Sequence, residues 1–157
     1  MIIKTLPQHK AALLRLIEES GQFDPDGLAH VSASLDNHFQ EPQHDIWLTA
    51  IEDEPVGVAY CAPEPMTDGT WNLLMLWTKE GFAGRGFGKA LVSEVENELK
   101  NRQVRLLIVE TSQLPDFQTA RAFYERSGFT LQAEIPDFFE QGDNKLIYTK
   151  SLNNSLK

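Results

Sequence analysis

The sequence predicts an α/β domain with a mixed sheet. Three observations carry that expectation. Apolar runs of strand length alternate with stretches of helical periodicity. A glycine-rich loop, Ala83-Gly84-Arg85-Gly86-Phe87-Gly88-Lys89, joins one such run to an amphipathic helix pattern. A second, almost uniformly apolar run follows that helix, so at least one right-handed crossover links two parallel strands. At 157 residues the chain suits one domain with a real core.

The elements follow in order. Residues 8–20 carry Ala11, Leu13, Leu14, Leu16 and Ile17 and stop at Gly21, a C-cap signal. Asp24-Pro25 forms an N-cap with proline at the first helical position. Leu28, Val31, Leu35 and Phe39 continue at helical spacing, so two helices open the chain. Residues 46–51 and 56–61 are apolar runs around Glu52-Asp53-Glu54-Pro55, a hairpin. Residues 70–78 form a largely buried strand that leads straight into the glycine loop.

Behind the loop, Phe87, Leu91, Val95 and Leu99 make one stripe, with Glu94, Glu96 and Glu98 directed elsewhere. Lys100 and Arg102 suit the negative end of the helix dipole. Val104 to Val109 reads as a central strand. Residues 115–127 are helical and closed by Gly128. Strands near 129–135 and 144–150 complete a domain over residues 1–150. Residues 151–157 form a polar tail, expected to fray.

The loop is the informative feature. Gly84, Gly86 and Gly88 leave main-chain N–H groups uncovered by side chains. The helix start behind them adds aligned donors and roughly half a positive charge. Together they suit a phosphate or pyrophosphate. The net charge of −9 argues against a nucleic-acid partner, because such partners meet basic surfaces. Local compensation exists: Lys79, Arg85 and Lys89 lie near one another with only Glu80 between them as an acid. A solvated charged face explains that cluster by itself; beside three glycines at a helix start, ligand binding explains it better.

Two nucleotide motifs fail. A P-loop needs G-x-x-x-x-G-K-[ST], and here Ala83 and Ala90 occupy its first and last positions. A dinucleotide fingerprint needs G-x-G-x-x-G, and the third glycine comes one residue early.

Two stretches resemble the GNAT superfamily of acyl-CoA-dependent N-acetyltransferases, and the resemblance spans nearly the whole chain. The first is Ala83-Gly84-Arg85-Gly86-Phe87-Gly88-Lys89-Ala90-Leu91, similar to the family's [QR]-x-x-G-x-[GA] loop, with Ala83 replacing the usual Gln or Arg. The second is Ala120-Arg121-Ala122-Phe123-Tyr124-Glu125-Arg126-Ser127-Gly128-Phe129, similar to A-x-x-[FL]-Y-x-x-x-G-F. Where family members often carry Asn seven residues before the tyrosine, this chain has Phe117.

The resemblance implies a single-domain, three-layer α/β fold: a splayed, mostly antiparallel mixed sheet of six or seven strands flanked by helices. It implies acetyl-CoA as co-substrate. The pyrophosphate would rest on the N–H groups of Gly84, Arg85, Gly86, Phe87, Gly88 and Lys89. The pantetheine arm would pair with Leu76, Trp77 and Thr78. Tyr124 matches the usual general acid for the leaving thiolate.

A base is needed on chemical grounds. An alkyl amine with a pKa of about 10.4 is neutral in only about one molecule in ~2,500 at pH 7. A carboxylate with a path to solvent relieves that handicap. Glu110 ends an apolar strand, at the edge where open α/β sheets place their crevices. It serves either as that base or as a cap for the following loop or helix. Tyr124 has a second reading as a core tyrosine, and Trp71 and Trp77 are packing residues.

The acceptor is a small amine or amino acid, or else a protein N-terminus or lysine; a non-catalytic acyl-CoA sensor is the third reading. Pro136 to Asp143 joins two aromatics to three acids, which suits a cationic amine or equally an acidic hairpin loop. His9, His30, His38 and His44 lack metal-ligand spacing and Cys61 is the single cysteine, so no metal is expected. No export signal, membrane span or disulfide is expected, which points to a cytoplasmic protein. A homodimer stays open.

Overall fold

A computed structural model describes residues 1–152. Residues 153–157 of the polar tail lie outside the described residues. The elements are β1 (Ile2–Lys4), α1 (Lys10–Glu19), α2 (Pro25–Gln40), β2 (Ile46–Glu52), β3 (Glu54–Pro63), β4 (Thr70–Thr78), α3 (Phe87–Asn101), β5 (Leu106–Ser112), α4 (Gln118–Arg126), β6 (Thr130–Glu140) and β7 (Asp143–Ser151). Short 3₁₀ turns precede α1 and α4. The strands form one mixed, mostly antiparallel sheet in the order β1-β2-β3-β4-β5-β7-β6. This is the α/β class the sequence predicts.

Two compact units divide the chain, Met1–Ala62 with Met75–Glu98, and Pro63–Leu74 with Leu99–Lys157. In the first unit, Asp24 caps α2: its Oδ1 accepts from the Gly27 N–H at 2.7 Å, with Pro25 at the first helical position. Leu13, Leu16 and Ile17 of α1 and Val31 and Leu35 of α2 close on Trp47 and Val58 of the hairpin. Trp47 stacks on Tyr60, its register partner, at 4.2 Å. The hairpin turn is tighter than the sequence suggests. Glu52 pairs with Glu54, and Asp53 alone makes the turn at φ 62. Aspartate tolerates that left-handed conformation better than most residues.

Gly57 of β3 is where α3 comes close. A Cβ there would sit 3.2 Å from Leu91 Cδ1, 3.2 Å from the Ala50 Cβ and 3.3 Å from the Trp77 carbonyl. Gly57→Val therefore overpacks this wall, and thermal denaturation should show a loss of about 1–3 kcal/mol.

In the second unit, β4 pairs with β5 in parallel from Thr70–Leu106 to Leu73–Val109, as the crossover demands. Leu107, Val109, Leu146, Tyr148 and Phe129 are buried there.

Several expectations need correction. β1, only three residues long and half-buried, carries no periodicity from which a strand could be predicted. The central strand starts two residues later than Val104 and runs on through Glu110, Thr111 and Ser112. The helix expected from 115 begins at Gln118, behind a 3₁₀ turn. Of the acids expected to point away from the α3 stripe, Glu96 is buried, at 9% exposure, while Glu94 is exposed. Residues 136–140 continue β6 instead of forming a loop, and only Gln141 and Gly142 turn the chain. Ser151 still pairs with Leu106, and Leu152 is buried with its N–H on the Arg105 carbonyl.

Candidate active site

In the first unit, β4 ends in half-buried Leu76, Trp77 and Thr78 and delivers the chain to the glycine loop. The Lys79 N–H on the Val56 carbonyl, 2.7 Å, fixes the exit from the strand. Gly84 and Gly86 have φ of 78° and 90°, a region side chains other than hydrogen enter at a cost of roughly 1–2 kcal/mol. No atom lies within 4 Å of where a Cβ would stand on either. The loop is thus open above both glycines, and α3 starts at Phe87 directly behind it. Ala90 N–H already bonds the Gly86 carbonyl at 3.0 Å. The N–H groups of Phe87, Gly88 and Lys89 precede it, and the first turn of a helix leaves such donors without helical partners.

The loop cations are held by the hairpin turn. Arg85 Nη2 meets both Glu52 carboxylate oxygens at 2.8 Å, and its guanidinium lies over the rings of Phe82 (4.9 Å) and Phe87 (5.6 Å). Lys79 Nζ meets Glu54 Oε1 at 2.8 Å. The hydrogen bond and charge of Lys79 hold the Glu54 carboxyl below its ordinary value. Such exposed pairs are worth about 0–1 kcal/mol. A phosphate can therefore draw the two cations away at little cost.

In the second unit, Tyr124 sits on α4 at 9% exposure. Its ring meets Phe129 edge-on at 5.8 Å and Tyr148 at 6.3 Å. No hydrogen bond reaches its hydroxyl among the described residues. Burial pushes the phenol up to about 12, so it keeps its proton throughout the neutral range. Arg121, one turn earlier, ties α4 to the end of β5, donating from Nη1 to the Ser112 and Leu114 carbonyls at 2.8 and 2.9 Å.

The raised phenol has a consequence for stability. A buried neutral phenol favours folding below its unfolded value near 10, and that contribution is lost as pH rises through the folded value. Tyr124 alone should cost about 2 kcal/mol between pH 10 and 12. Tyr60, pushed up to about 12 by burial and then by Asp45, acts with the same sign. Chemical denaturation at pH 8, 10 and 12 should show the loss, with a smaller slope in Tyr124→Phe.

Glu110 lies on the other side of the sheet from Tyr124. Successive strand side chains alternate. Val109 pairs with Tyr148, the ring neighbour of Tyr124, while Glu110 pairs with Ile147. The side chain of Glu110 is 28% exposed and bonded on both oxygens: Lys145 Nζ stands 2.7 Å from Oε2, and Asn72 Nδ2 stands 3.4 Å from Oε1. Its partners are thus strand residues, and the N-cap of α4 is Phe117.

Asn72 is the residue that sequence reasoning missed. The only signal was one amide inside the apolar run Trp71-Asn72-Leu73. It is 3% exposed, and its Nδ2 also donates to Glu64 Oε1 at 2.8 Å. Carboxylates only accept, so the amide must turn its NH₂ to Glu64 and Glu110. Its Oδ1 is left buried with no donor among the described residues.

Phe138, half-exposed on β6, also joins this group, and Phe139 meets its ring edge-on at 5.1 Å. Lys145 Nζ stands 4.0 Å above the Phe138 ring. A kink at Asp137 (φ 53) presents these rings. It is held by Gly142 N–H on Asp137 Oδ1 at 2.8 Å and by Asp137 N–H on Asn144 Oδ1 at 2.9 Å. Among the described residues, no group of three or more His, Cys, Asp and Glu could hold a metal ion. None of their helices is long and apolar enough to cross a membrane.

Comparison with known proteins gives these features a context. A search of curated proteins found no match. Among solved structures, a GNAT-family protein from Desulfovibrio desulfuricans superposes with a TM-score of 0.89 at 29% identity, covering 98% of this chain and 99% of the other. An aminoglycoside 6′-N-acetyltransferase complexed with coenzyme A gives 0.80 at 17% identity, covering 98% and 97%. The ribosomal-protein-S18-alanine N-acetyltransferase of Escherichia coli gives 0.77 at 14%, covering 98% and 94%. The last two show likeness of fold alone. The model of the acetyltransferase (GNAT) family matches residues 12–129, a span that contains both the glycine loop and the Tyr124 helix. With three-quarters of its length inside that match, the chain belongs to the GNAT family of acetyltransferases.

Proposed function

We propose that this protein is an N-acetyltransferase that moves an acetyl group from acetyl-CoA to a primary amine, a small molecule or amino acid, by direct attack in a ternary complex. One observation carries the reading: directly before α3, Gly84 and Gly86 stand in left-handed conformation with no atom within 4 Å of where a Cβ would be. A Cβ at either glycine would enter that open space, so the loop fits a diphosphate laid across the backbone. Leu76, Trp77 and Thr78 offer the strand end to the pantetheine arm. Bound acetyl-CoA supplies the activated acyl group and a sulfur leaving group.

The rest is work for the chain's own residues. Tyr124, kept protonated by burial, gives its proton to the departing sulfur. The carboxylates on the opposite side of the sheet, around Glu110, take the proton of the acceptor. Acid and base on opposite sides suit a donor and an acceptor that arrive from different directions. Phe138 and the surplus of acids favour a cationic acceptor. The net charge of −9 speaks against a nucleic-acid partner, and the protein is read as cytoplasmic, with no membrane partner and with a homodimer allowed.

A peptide acceptor is the second reading. It is favoured by β6, which lies at the sheet edge and is exposed along its whole length, ready for an added strand.

Thiol release from acetyl-CoA tests the proposal across butylamine, spermidine, free amino acids and an N-terminal peptide. Turnover with at least one acceptor is expected. Stabilisation by acetyl-CoA with no free thiol from any of them would make the protein an acyl-CoA sensor instead.

A further inference from the structure

Two carboxylates share the buried amide of Asn72, and their surroundings differ. Glu110 already holds an ammonium: Lys145, only 11% exposed, is 2.7 Å away. Glu64, half-buried just after β3, has the neutral Asn72 N–H as its single side-chain partner among the described residues, at 2.8 Å. An amine approaching Glu110 must displace Lys145 from it, whereas one approaching Glu64 displaces no cation among the described residues. The cluster of Glu64, Glu110 and Lys145 is thus left with one uncompensated negative charge, and it lies at Glu64.

The Asn72 carbonyl adds an independent indication. It is an acceptor buried without a donor, a costly arrangement unless something supplies an N–H or O–H. Asn72 lies one residue before the last rung between β4 and β5, Leu73–Val109. An orphaned carbonyl beside an unneutralised carboxylate describes a place for a donor with several hydrogens and a positive charge, which a primary ammonium has.

We infer that Glu64 takes the proton of the acceptor amine, directly or through one water, while Asn72 and the Glu110–Lys145 pair hold it in position. The inference rests on the acetyltransferase reading above and names the base within it. The acceptor nitrogen gives a proton to Glu64 and bonds to the acetyl carbon. The carbon–sulfur bond breaks as Tyr124 gives its proton to the departing sulfur, and the second proton shed by the acylated nitrogen returns through solvent to the Tyr124 oxygen. The substrate class is a basic primary amine, protonated in solution.

Glu64→Gln and Glu110→Gln, both isosteric, separate the roles. Their kcat/KM is measured with the panel amine that turns over fastest and with trifluoroethylamine, a weak base already neutral at assay pH. Calorimetry of acetyl-CoA binding runs alongside. Glu64→Gln should lose roughly 100-fold or more with the basic amine and less than about tenfold with trifluoroethylamine. Its acetyl-CoA affinity should stay within about twofold of the parent. Glu110→Gln should lose less than about tenfold with either amine. Asn72→Leu, which unlinks Glu64 from its neighbours, should show a smaller version of the Glu64→Gln pattern. Equal losses with both amines in Glu64→Gln, or a larger loss in Glu110→Gln, overturn the assignment and leave the acetyltransferase reading standing. No thiol release by the parent with any amine removes both.

Discussion

Tyr124→Phe should lower thiol release from acetyl-CoA by roughly 100-fold or more, the range of a lost general acid. Its fold should not change, since the ring contacts with Phe129 and Tyr148 remain and the hydroxyl has no partner to lose among the described residues. The loss should fall on kcat, because proton donation to sulfur matters only as the carbon–sulfur bond breaks. Acetyl-CoA affinity should stay within about twofold. An unchanged kcat would return Tyr124 to the role of a core tyrosine.

Gly86→Val should have an effect of similar size on a different quantity. At φ 90° the side chain strains the loop, and it projects into the space above the donors. Charge-assisted hydrogen bonds are worth about 1.5–3 kcal/mol each, so disturbing two of them weakens coenzyme A binding by roughly 100-fold or more. Gly142→Val is the control. Gly142 also has a left-handed φ, 86°, with nothing within 4 Å, but it lies in the β6–β7 turn. It should lose comparable stability and no affinity. Equal affinity losses in both variants would mean that general destabilisation is being read as loss of a site.

The glycine loop was legible in the sequence because the contacts proposed there belong to the backbone. Gly84 and Gly86 have few structural reasons to alternate with Arg85 and Phe87 other than to expose amides. Asp24-Pro25 and Gly21 were legible for a like reason, since caps are local. The first helices, the hairpin and β4 followed from periodicity, which reports burial on one side. What periodicity could not give was the extent of β6. Residues 136–140 carry Pro136, Asp137 and Glu140, a turn-like composition, yet the strand passes through them with a kink pinned by Asp137 and Asn144.

The environment of Glu110 was hidden more deeply. Its ion pair with Lys145 spans 35 positions of sequence and depends on the register between β5 and β7. Its link to Glu64 passes through Asn72, on yet another strand. A one-residue slip in either ladder would move these side chains to the opposite side of the sheet. Residue types alone therefore suggested a carboxylate base, and the pairing of strands decides which carboxylate is unpaired.

In the proposed function, the amides from Gly84 to Lys89 grip the diphosphate of coenzyme A. Calorimetric titration of the folded protein with coenzyme A, and separately with pantetheine, which lacks that diphosphate, tests it most directly. Saturable one-to-one binding of coenzyme A, weakened by salt and lost in Gly86→Val, with pantetheine far weaker, is the predicted result. Heat from neither ligand, or equal affinity for both, would contradict it.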